Sequence, residues 1–252
     1  MKRTLPITHQ HTNFMKKNIS LAIIPARGGS RGIPRKNLEL IGEKPLVAHT
    51  IEHAKKAKNV DTFLVNSDDA EIRTVAASYG ALTMNRPDMY AHDKILQEVD
   101  LLLKWTVEAY EKTHPEQRVD VVVLLYPTAP LRDVKAIDKA IELVRDEGYD
   151  SALSLFYDDS YLWQINEDGK TVHPTNYDPN KRMPRQKESW NQWVENKAVY
   201  AIKRSILFEV GRIGPNTGMV EMDKWRSIDI DNPSDLELAR AVYKDKRSEL
   251  DS

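Results

Sequence analysis

Ala22-Ile23-Ile24-Pro25-Ala26-Arg27-Gly28-Gly29-Ser30-Arg31-Gly32-Ile33-Pro34-Arg35-Lys36-Asn37 sets the frame for the whole chain. Its apolar start reads as a buried strand. The strand runs into a turn holding three glycines, three arginines, a lysine and a serine. Glycines at the carboxyl end of a strand let backbone N–H groups approach an anion closely. Arg27, Arg31, Arg35 and Lys36 put positive charge where a polyphosphate needs it. A Walker-type loop requires Gly, four residues and then Gly-Lys-Ser/Thr. Here three residues separate Gly28 from Gly32, and Ile33 follows. The dinucleotide fingerprint Gly-x-Gly-x-x-Gly misses this spacing too. The turn reads as a nucleoside triphosphate loop. A solvated glycine turn is the alternative, disfavoured because clustered cations repel without an anion between them.

Outward from the turn, strand and helix alternate. Leu46, Val47, Ile51 and Ala54 recur at helical spacing, with Lys55, Lys56 and Lys58 near the end, where cations suit the helix dipole. Thr62 to Asn66 reads as a strand stopped by Ser67-Asp68-Asp69. Ile72, Val75, Ala76 and Tyr79 mark a helix closed by Gly80. A short strand, Ala81 to Met84, ends at Asn85-Arg86-Pro87, and a long helix runs from Ile95 to about Lys112. Val119 to Leu125 is the strongest strand signal and reads as central and parallel. Tyr126-Pro127-Thr128-Ala129-Pro130-Leu131-Arg132 stops it. A helix on Val134, Ile137, Ile141 and Val144 follows, then strands at Ser151 to Phe156 and Ala198 to Ile202. This rhythm predicts an α/β domain with a doubly wound, mostly parallel sheet. Ligands of such sheets sit beyond the carboxyl ends of the strands, where the glycine turn, Ser67-Asp68, Arg86 and Tyr126 all fall.

The 252 residues, 40% hydrophobic and 30% charged, suit one large soluble domain. A net charge of −1, from 37 basic and 38 acidic residues, gives no drive towards nucleic acid or an anionic membrane. The absence of cysteine excludes disulfides and thiolate metal sites. No apolar run has the length of a membrane span or a signal peptide, so a cytoplasmic setting is expected. Residues 1–14 are polar and aperiodic, and Met15-Lys16-Lys17-Asn18 before a strand resembles a natural start. Residues 1–18 are read as a disordered leader, and 19–245 as the domain.

Two stretches stand out. About 157–194 the alternation breaks, with Trp163, Trp190, Trp193 and the run Lys181-Arg182-Met183-Pro184-Arg185-Gln186-Lys187. That is too long and aromatic for a simple connection, so it reads as a functional flap or an interface; a solvated loop is the plainer alternative for the cationic run. In Ser227-Ile228-Asp229-Ile230-Asp231, read as a strand, Asp229 and Asp231 share one face about 7 Å apart while the isoleucines enter the core. Such a pair suits a hard cation held jointly with phosphate oxygens. Alternatively, Asp231 or Asn232 caps a helix starting near Pro233. Beside a triphosphate loop the cation site takes precedence. His49 and His53, four apart on a helix with no third ligand near, read as ordinary core or surface histidines.

Four segments carry a resemblance to the CMP-sialic acid synthetase (acylneuraminate cytidylyltransferase) family: Ala26 to Asn37, Pro127 to Arg132, Lys181 to Gln186 and Ser227 to Asp231. It extends from residue 19 to about 240. The resemblance implies a Rossmann-like fold of the nucleotide-diphospho-sugar transferase kind, with a dimerisation flap inserted at about 157–194. It implies transfer of CMP from CTP to a 2-keto-3-deoxy sugar acid, with Mg²⁺ and release of pyrophosphate, by a homodimer. By position, Ala26, Arg27, Gly28, Gly29, Ser30, Arg31, Lys36, Asn37, Arg86 and Asp93 would bind the nucleotide. Asp229 and Asp231 would hold Mg²⁺ and, with Arg27, Lys36 and Arg185, form the catalytic set. Tyr126, Arg182, Arg185, Gln186, Asn196 and Tyr200 would meet the acceptor, with Arg185 and Arg182 reaching a neighbouring subunit's site.

The acceptor end departs from the family pattern. Tyr126 stands where the family usually has Gln, Asn196-Lys197 replaces Asn-Gly, and Asp93-Lys94-Ile95-Leu96-Gln97 lacks the usual Ser/Thr-rich character. The expectation is therefore an acceptor other than N-acetylneuraminate, either another acidic sugar or a phosphonate. Transfer to a sugar 1-phosphate from UTP or GTP, a non-catalytic nucleotide-binding domain, and an interaction protein built on the tryptophan-rich stretch are the competing readings.

Overall fold

The computed structural model describes residues 16–90, 98–182, 184 and 186–250. In order these form β1 (Lys17–Pro25), β2 (Leu40–Ile41), β3 (Lys44–Pro45), α1 (Leu46–Lys56), β4 (Thr62–Ser67), α2 (Ala70–Ser78), β5 (Leu82–Asn85), α3 (Glu98–Thr113) and β6 (Gln117–Leu124). There follow α4 (Val134–Arg145), β7 (Ser151–Tyr157), β8 (Trp163–Ile165), β9 (Val172–Pro174), α5 (Lys187–Trp190), β10 (Trp193–Lys203), α6 (Arg204–Glu209), β11 (Thr217–Glu221), α7 (Pro233–Asp245) and α8 (Arg247–Leu250).

Seven strands make one sheet in the order β11-β7-β10-β6-β1-β4-β5. The expected doubly wound architecture forms, and β6 is central as its sequence implied. All neighbours are parallel except β10, which opposes both β6 and β7. The reversal follows from the flap: β7 leaves the carboxyl edge at Tyr157, and β10 re-enters there with Trp193 paired to Tyr157. The start of β10 thus lies beside the carboxyl ends of β1 and β6. The strand also begins earlier than the leader assignment allowed, since Lys17 and Asn18 pair with Gln117 and Arg118 in β1. Residues 1–15, the rest of that leader, lie outside the described residues.

Alternating side chains serve the two faces of the sheet. Ile24, Val65 and Val123 pack with Ile51, Ile72, Ile137 and Ile141 of α1, α2 and α4. Ile23, Leu64 and Leu124 pack with Leu103, Val107 and Leu207 of α3 and α6. A third, smaller cluster joins Ile33 of the glycine turn to Ile230, Leu236 and Ala239. Burying one such isoleucine contributes about 2 kcal/mol, so this cluster ties the turn to the far end of the chain. No helix among the described residues is long and apolar enough to cross a membrane.

Ser227 to Asp231 is not a strand, contrary to expectation. It follows a 3-10 turn at Lys224–Arg226 and docks through Ile230 N–H on the Thr128 carbonyl, 2.9 Å away, with no ladder beside it. The predicted facing survives nonetheless, because Ile230 is buried and Ile228 packs against the same cluster.

Arg132 locks the turn after β6 from within. Its buried guanidinium donates to the carbonyls of Ala198 and Tyr126, at 2.5 and 2.6 Å, and to the Thr50 hydroxyl at 3.3 Å. Burial draws it down from its usual range to about 9, so it stays protonated at neutral pH. Arg132→Met should cost about 3 kcal/mol, because two buried carbonyls lose their donors. Denaturant unfolding checks this, and a loss under about 0.5 kcal/mol, the usual range for a surface change, would contradict it.

The flap carries its own aromatic cluster. Tyr161 packs on Tyr177 and Trp190 at centroid distances of 4.3 and 5.3 Å, and the Arg182 guanidinium covers Tyr161 at 5.0 Å. Leu162, Trp163, Ile165 and Val172 remain exposed along the β8–β9 hairpin.

Candidate active site

Beyond β1 the glycine turn is fixed by hydrogen bonds to its neighbours. Ala26 N–H donates to the Asn66 carbonyl at 2.9 Å, Gly28 N–H to Asp68 Oδ1 at 2.9 Å, and Asn37 Nδ2 to the Arg27 carbonyl at 2.9 Å. Gly32 lies against the main chain of Asp231, where a Cβ would stand 2.0 Å from the carbonyl oxygen. Lys36, its side chain 12% exposed, reaches the same segment, with Nζ 2.5 Å from the Ile230 carbonyl and 3.3 Å from Asp231 Oδ1. The turn and the two aspartates, nearly two hundred residues apart in sequence, are therefore neighbours.

Between them opens a cleft of about 390 Å³. Arg27, Ser30, Lys36, Asn37 and Arg86 line one part, Tyr126, Tyr200, Glu195 and Arg212 another, with Thr128, Lys197, Asp229 and Asp231 among the remaining wall residues. Five cationic side chains and three carboxylates line it, a balance that suits a polyanion. Lys197 Nζ bridges the aspartates, 2.6 Å from Asp229 Oδ2 and 3.5 Å from Asp231 Oδ2. Its bond to Asp229 raises the Lys197 ammonium above its ordinary value. Partial burial works against ionisation of Asp231, yet Lys197 and Lys36 hold its carboxyl below the usual carboxylate range. The other oxygen of Asp229, Oδ1, is buried and has no hydrogen-bond partner.

Tyr126 and Tyr200 meet edge to face, 6.2 Å between centroids. Burial, then the hydrogen bond it donates to the Glu195 carboxylate, pushes the Tyr200 phenol well above the usual tyrosine range. Burial raises Tyr126 as well, so both phenols are neutral donors. Arg212 stands over the Tyr200 ring at 5.9 Å and pairs with Asp100 at 2.8 Å.

Most residues expected at the nucleotide and ion end thus converge, and several others do not. Ala26 is buried core beneath the turn, while Gly29 and Arg31 are exposed at its rim. Arg35 turns away from the cleft, held 2.6 Å from Glu71. Asn196 does not line the cleft but is buried, 2% exposed. Its amide donates to the Ser227 hydroxyl at 2.9 Å and its carbonyl accepts from Ser154 and Ala198, so it fastens the aspartate segment to β10. Arg182 and Gln186 stay in the flap, away from the lining of their own chain's cleft. Asp93 and Arg185 lie outside the described residues.

Sequence reasoning missed Glu195 and Arg212. Glu195 is the third residue of β10, and a strand read from Ala198 leaves it out. Arg212 carries no signal in the sequence: its place is set by the φ of +130 at Gly211 and by its pairing with Asp100. Asn232, not Asp231, caps α7, and Asp235 completes the capping box. The cap and the carboxylate pair are thus separate features, and Asp231 keeps its side chain for the cleft.

An anion-binding turn that meets a carboxylate pair over the carboxyl edge of a doubly wound sheet suits a nucleotide phosphate and a cation. A family model described as cytidylyltransferase matches residues 21–248, and the chain belongs to that family. It is 30% identical over 220 residues to N-acylneuraminate cytidylyltransferase A of Danio rerio, covering 86% of this chain and 49% of that protein. It is 29% identical over 231 residues to a pseudaminic acid cytidylyltransferase of Campylobacter jejuni, covering 89% of this chain and 96% of that one. The chain spans about half the length of the first curated relatives it matches. Its fold is shared with CMP:2-keto-3-deoxy-manno-octonic acid synthetase complexed with CTP, at 18% identity and a TM-score of 0.66, over 90% of this chain and 99% of the other. Cytidylyltransferases of this kind generally use a divalent metal.

Proposed function

We propose that this chain transfers CMP from CTP to an acidic 2-keto-3-deoxy sugar of the sialic acid kind and releases pyrophosphate. The observation that carries the reading is the contact of Gly32 and Lys36 with the Asp231 segment, which gives one nucleotide access to both. An acceptor hydroxyl oxygen would bond to the α-phosphorus in line with the departing pyrophosphate, and its proton would pass to water. Catalysis would be mostly positioning and charge stabilisation. Arg27, Ser30, Arg31 and Lys36 would hold the triphosphate, with Arg86 on the nucleotide. Arg27 and Lys36 would take up the charge that grows on pyrophosphate. Tyr126 would donate a hydrogen bond to the acceptor, Tyr200, its proton held by Glu195, would accept one, and Arg212 would face its acid group.

Mg²⁺ fits Asp229 and Asp231, because the buried Asp229 Oδ1 lacks a donor. Among the described residues no third histidine or acidic side chain completes a cage, so phosphate oxygens and water would supply the other ligands. When bound there, Mg²⁺ supplies charge neutralisation at the α-phosphate and a lowered pKa for the attacking oxygen. The enzyme is further proposed to be a cytoplasmic homodimer. The exposed apolar edge of the hairpin would pair two copies and carry Arg182, Arg185 and Gln186 towards the neighbour's cleft.

Lys197 and Arg212 beside Tyr126 favour a second acceptor class, a phosphonate, whose charge exceeds that of a carboxylate. Pyrophosphate release with CTP across nonulosonic acids and phosphonates tests both classes. Turnover is expected with CTP, not UTP or GTP, and N-acetylneuraminate is expected not to be the best acceptor. Best activity on N-acetylneuraminate would overturn the acceptor assignment; CTP binding with no pyrophosphate release on any acceptor would overturn the enzyme.

A further inference from the structure

Lys197 occupies a costly position. The pairing of β10 with β7 breaks between Glu195 and Tyr200, and in that irregularity Lys197 adopts φ 56, the left-handed region that glycine favours. An L side chain there is strained, and something must offset it. The side chain shows what does: its ammonium lies between Asp229 Oδ2 and Asp231 Oδ2, at 2.6 and 3.5 Å. Lys36 adds a contact of 3.3 Å to Asp231 Oδ1. Of the four carboxylate oxygens, only the buried Asp229 Oδ1 lacks a hydrogen bond.

We infer that Lys197 is a tethered cation that competes with the divalent ion for Asp229 and Asp231, keeping the two carboxylates together until the ion displaces it. This rests on the reading that those aspartates hold the ion. Two like charges brought close on one segment repel, and the bridging ammonium neutralises that repulsion at a site built for a cation. The side chain is 49% exposed, so it has room to swing out while its backbone stays fixed by the neighbouring Asn196. An ion that enters must displace the ammonium from Asp229 Oδ2, and it gains the unsatisfied Oδ1 as it does so. The pairing therefore lowers the affinity of the bare protein for the ion. Phosphate oxygens of bound CTP, as additional ligands, raise it again, so ion and nucleotide would bind together.

The test is Mn²⁺ titration of the full chain without nucleotide, with free Mn²⁺ read by electron paramagnetic resonance. Lys197→Gln removes the charge and keeps the backbone strain; Lys197→Gly also relieves the strain. Both should bind Mn²⁺ about two- to fivefold more tightly than the parent, the range one half-exposed ion pair is worth. Asp229→Asn, alone or combined with either change, should weaken binding. If Asp229→Asn weakens binding but neither Lys197 variant tightens it, the competition is overturned and the ion assignment stands. If Asp229→Asn leaves Mn²⁺ affinity unchanged in every background, the ion assignment itself fails, and the inference with it.

Discussion

Asp231→Asn is expected to lower kcat/KM for CTP turnover by about 10²–10³-fold, the scale of losing one electrostatic contact to the transition state, while the melting temperature stays unchanged. The asymmetry comes from where Asp231 sits. Its side chain is 64% exposed, and its contacts with Lys36 and Lys197 are at 3.3 and 3.5 Å. Ion pairs this open contribute little to stability. The α7 cap belongs to Asn232 and is untouched. The chemistry depends on the charge: two lysines hold Asp231 ionised below the usual carboxylate range, so it is an anion throughout the neutral region. The amide keeps the shape and removes that charge. Asp229→Asn should match it in turnover but is the less clean experiment, because Asp229 is only 18% exposed and carries the shorter Lys197 contact. Steady-state pyrophosphate release, with circular dichroism on the same sample, checks the expectation. Near-normal turnover for Asp231→Asn would remove this aspartate from the mechanism.

The sheet was legible in sequence because apolar runs such as Val121 to Leu124 and amphipathic helices such as Val134–Arg145 report burial directly. The direction of β10 was not. Periodicity shows which face of a strand is buried, not which way it runs, and the return from the flap decided it. The same limit hid Glu195. At the site, the glycine spacing and the Asp-x-Asp alternation were local patterns, and they found the two halves of the cleft. The partners that sort cations were not local. Arg35 leaves the cleft because Glu71 waits on α2, 36 positions later, whereas Lys36, the next residue, turns inward to the Ile230 carbonyl. Asn196 illustrates the converse: a polar residue beside a pocket in sequence became a buried clamp, because Ser154, Ala198 and Ser227 satisfy its amide. Counting charges in a turn shows that an anion is wanted, and only long-range pairing shows which charges face it.

Gly32→Ala should be the most damaging of the Gly→Ala changes. The added Cβ would stand 2.0 Å from the Asp231 carbonyl oxygen, 3.2 Å from its carbon and 3.8 Å from Asn232 Cα. These are backbone atoms, so no rotamer change relieves the overlap. Asn232 is fixed as the α7 cap by its bonds to Ser234 and Asp235 N–H, at 2.9 and 3.1 Å. Ile33 and Ile230 are fixed in turn by the small cluster they share with Leu236. Either the cap breaks or the glycine turn moves out, and moving the turn carries Ser30 and Lys36 with it. Overpacking of this kind costs about 1–3 kcal/mol and at times more, and displacing phosphate-binding groups by 1 Å is worth about 10²-fold. The expectation is a lower melting temperature together with loss of the CTP-induced thermal shift. Gly29→Ala is the stability control, since nothing lies within 4 Å of a Cβ there, and its melting temperature should match the parent's. If Gly32→Ala also melts like the parent and keeps its CTP shift, the turn and the aspartate segment do not touch, and a single nucleotide does not span them.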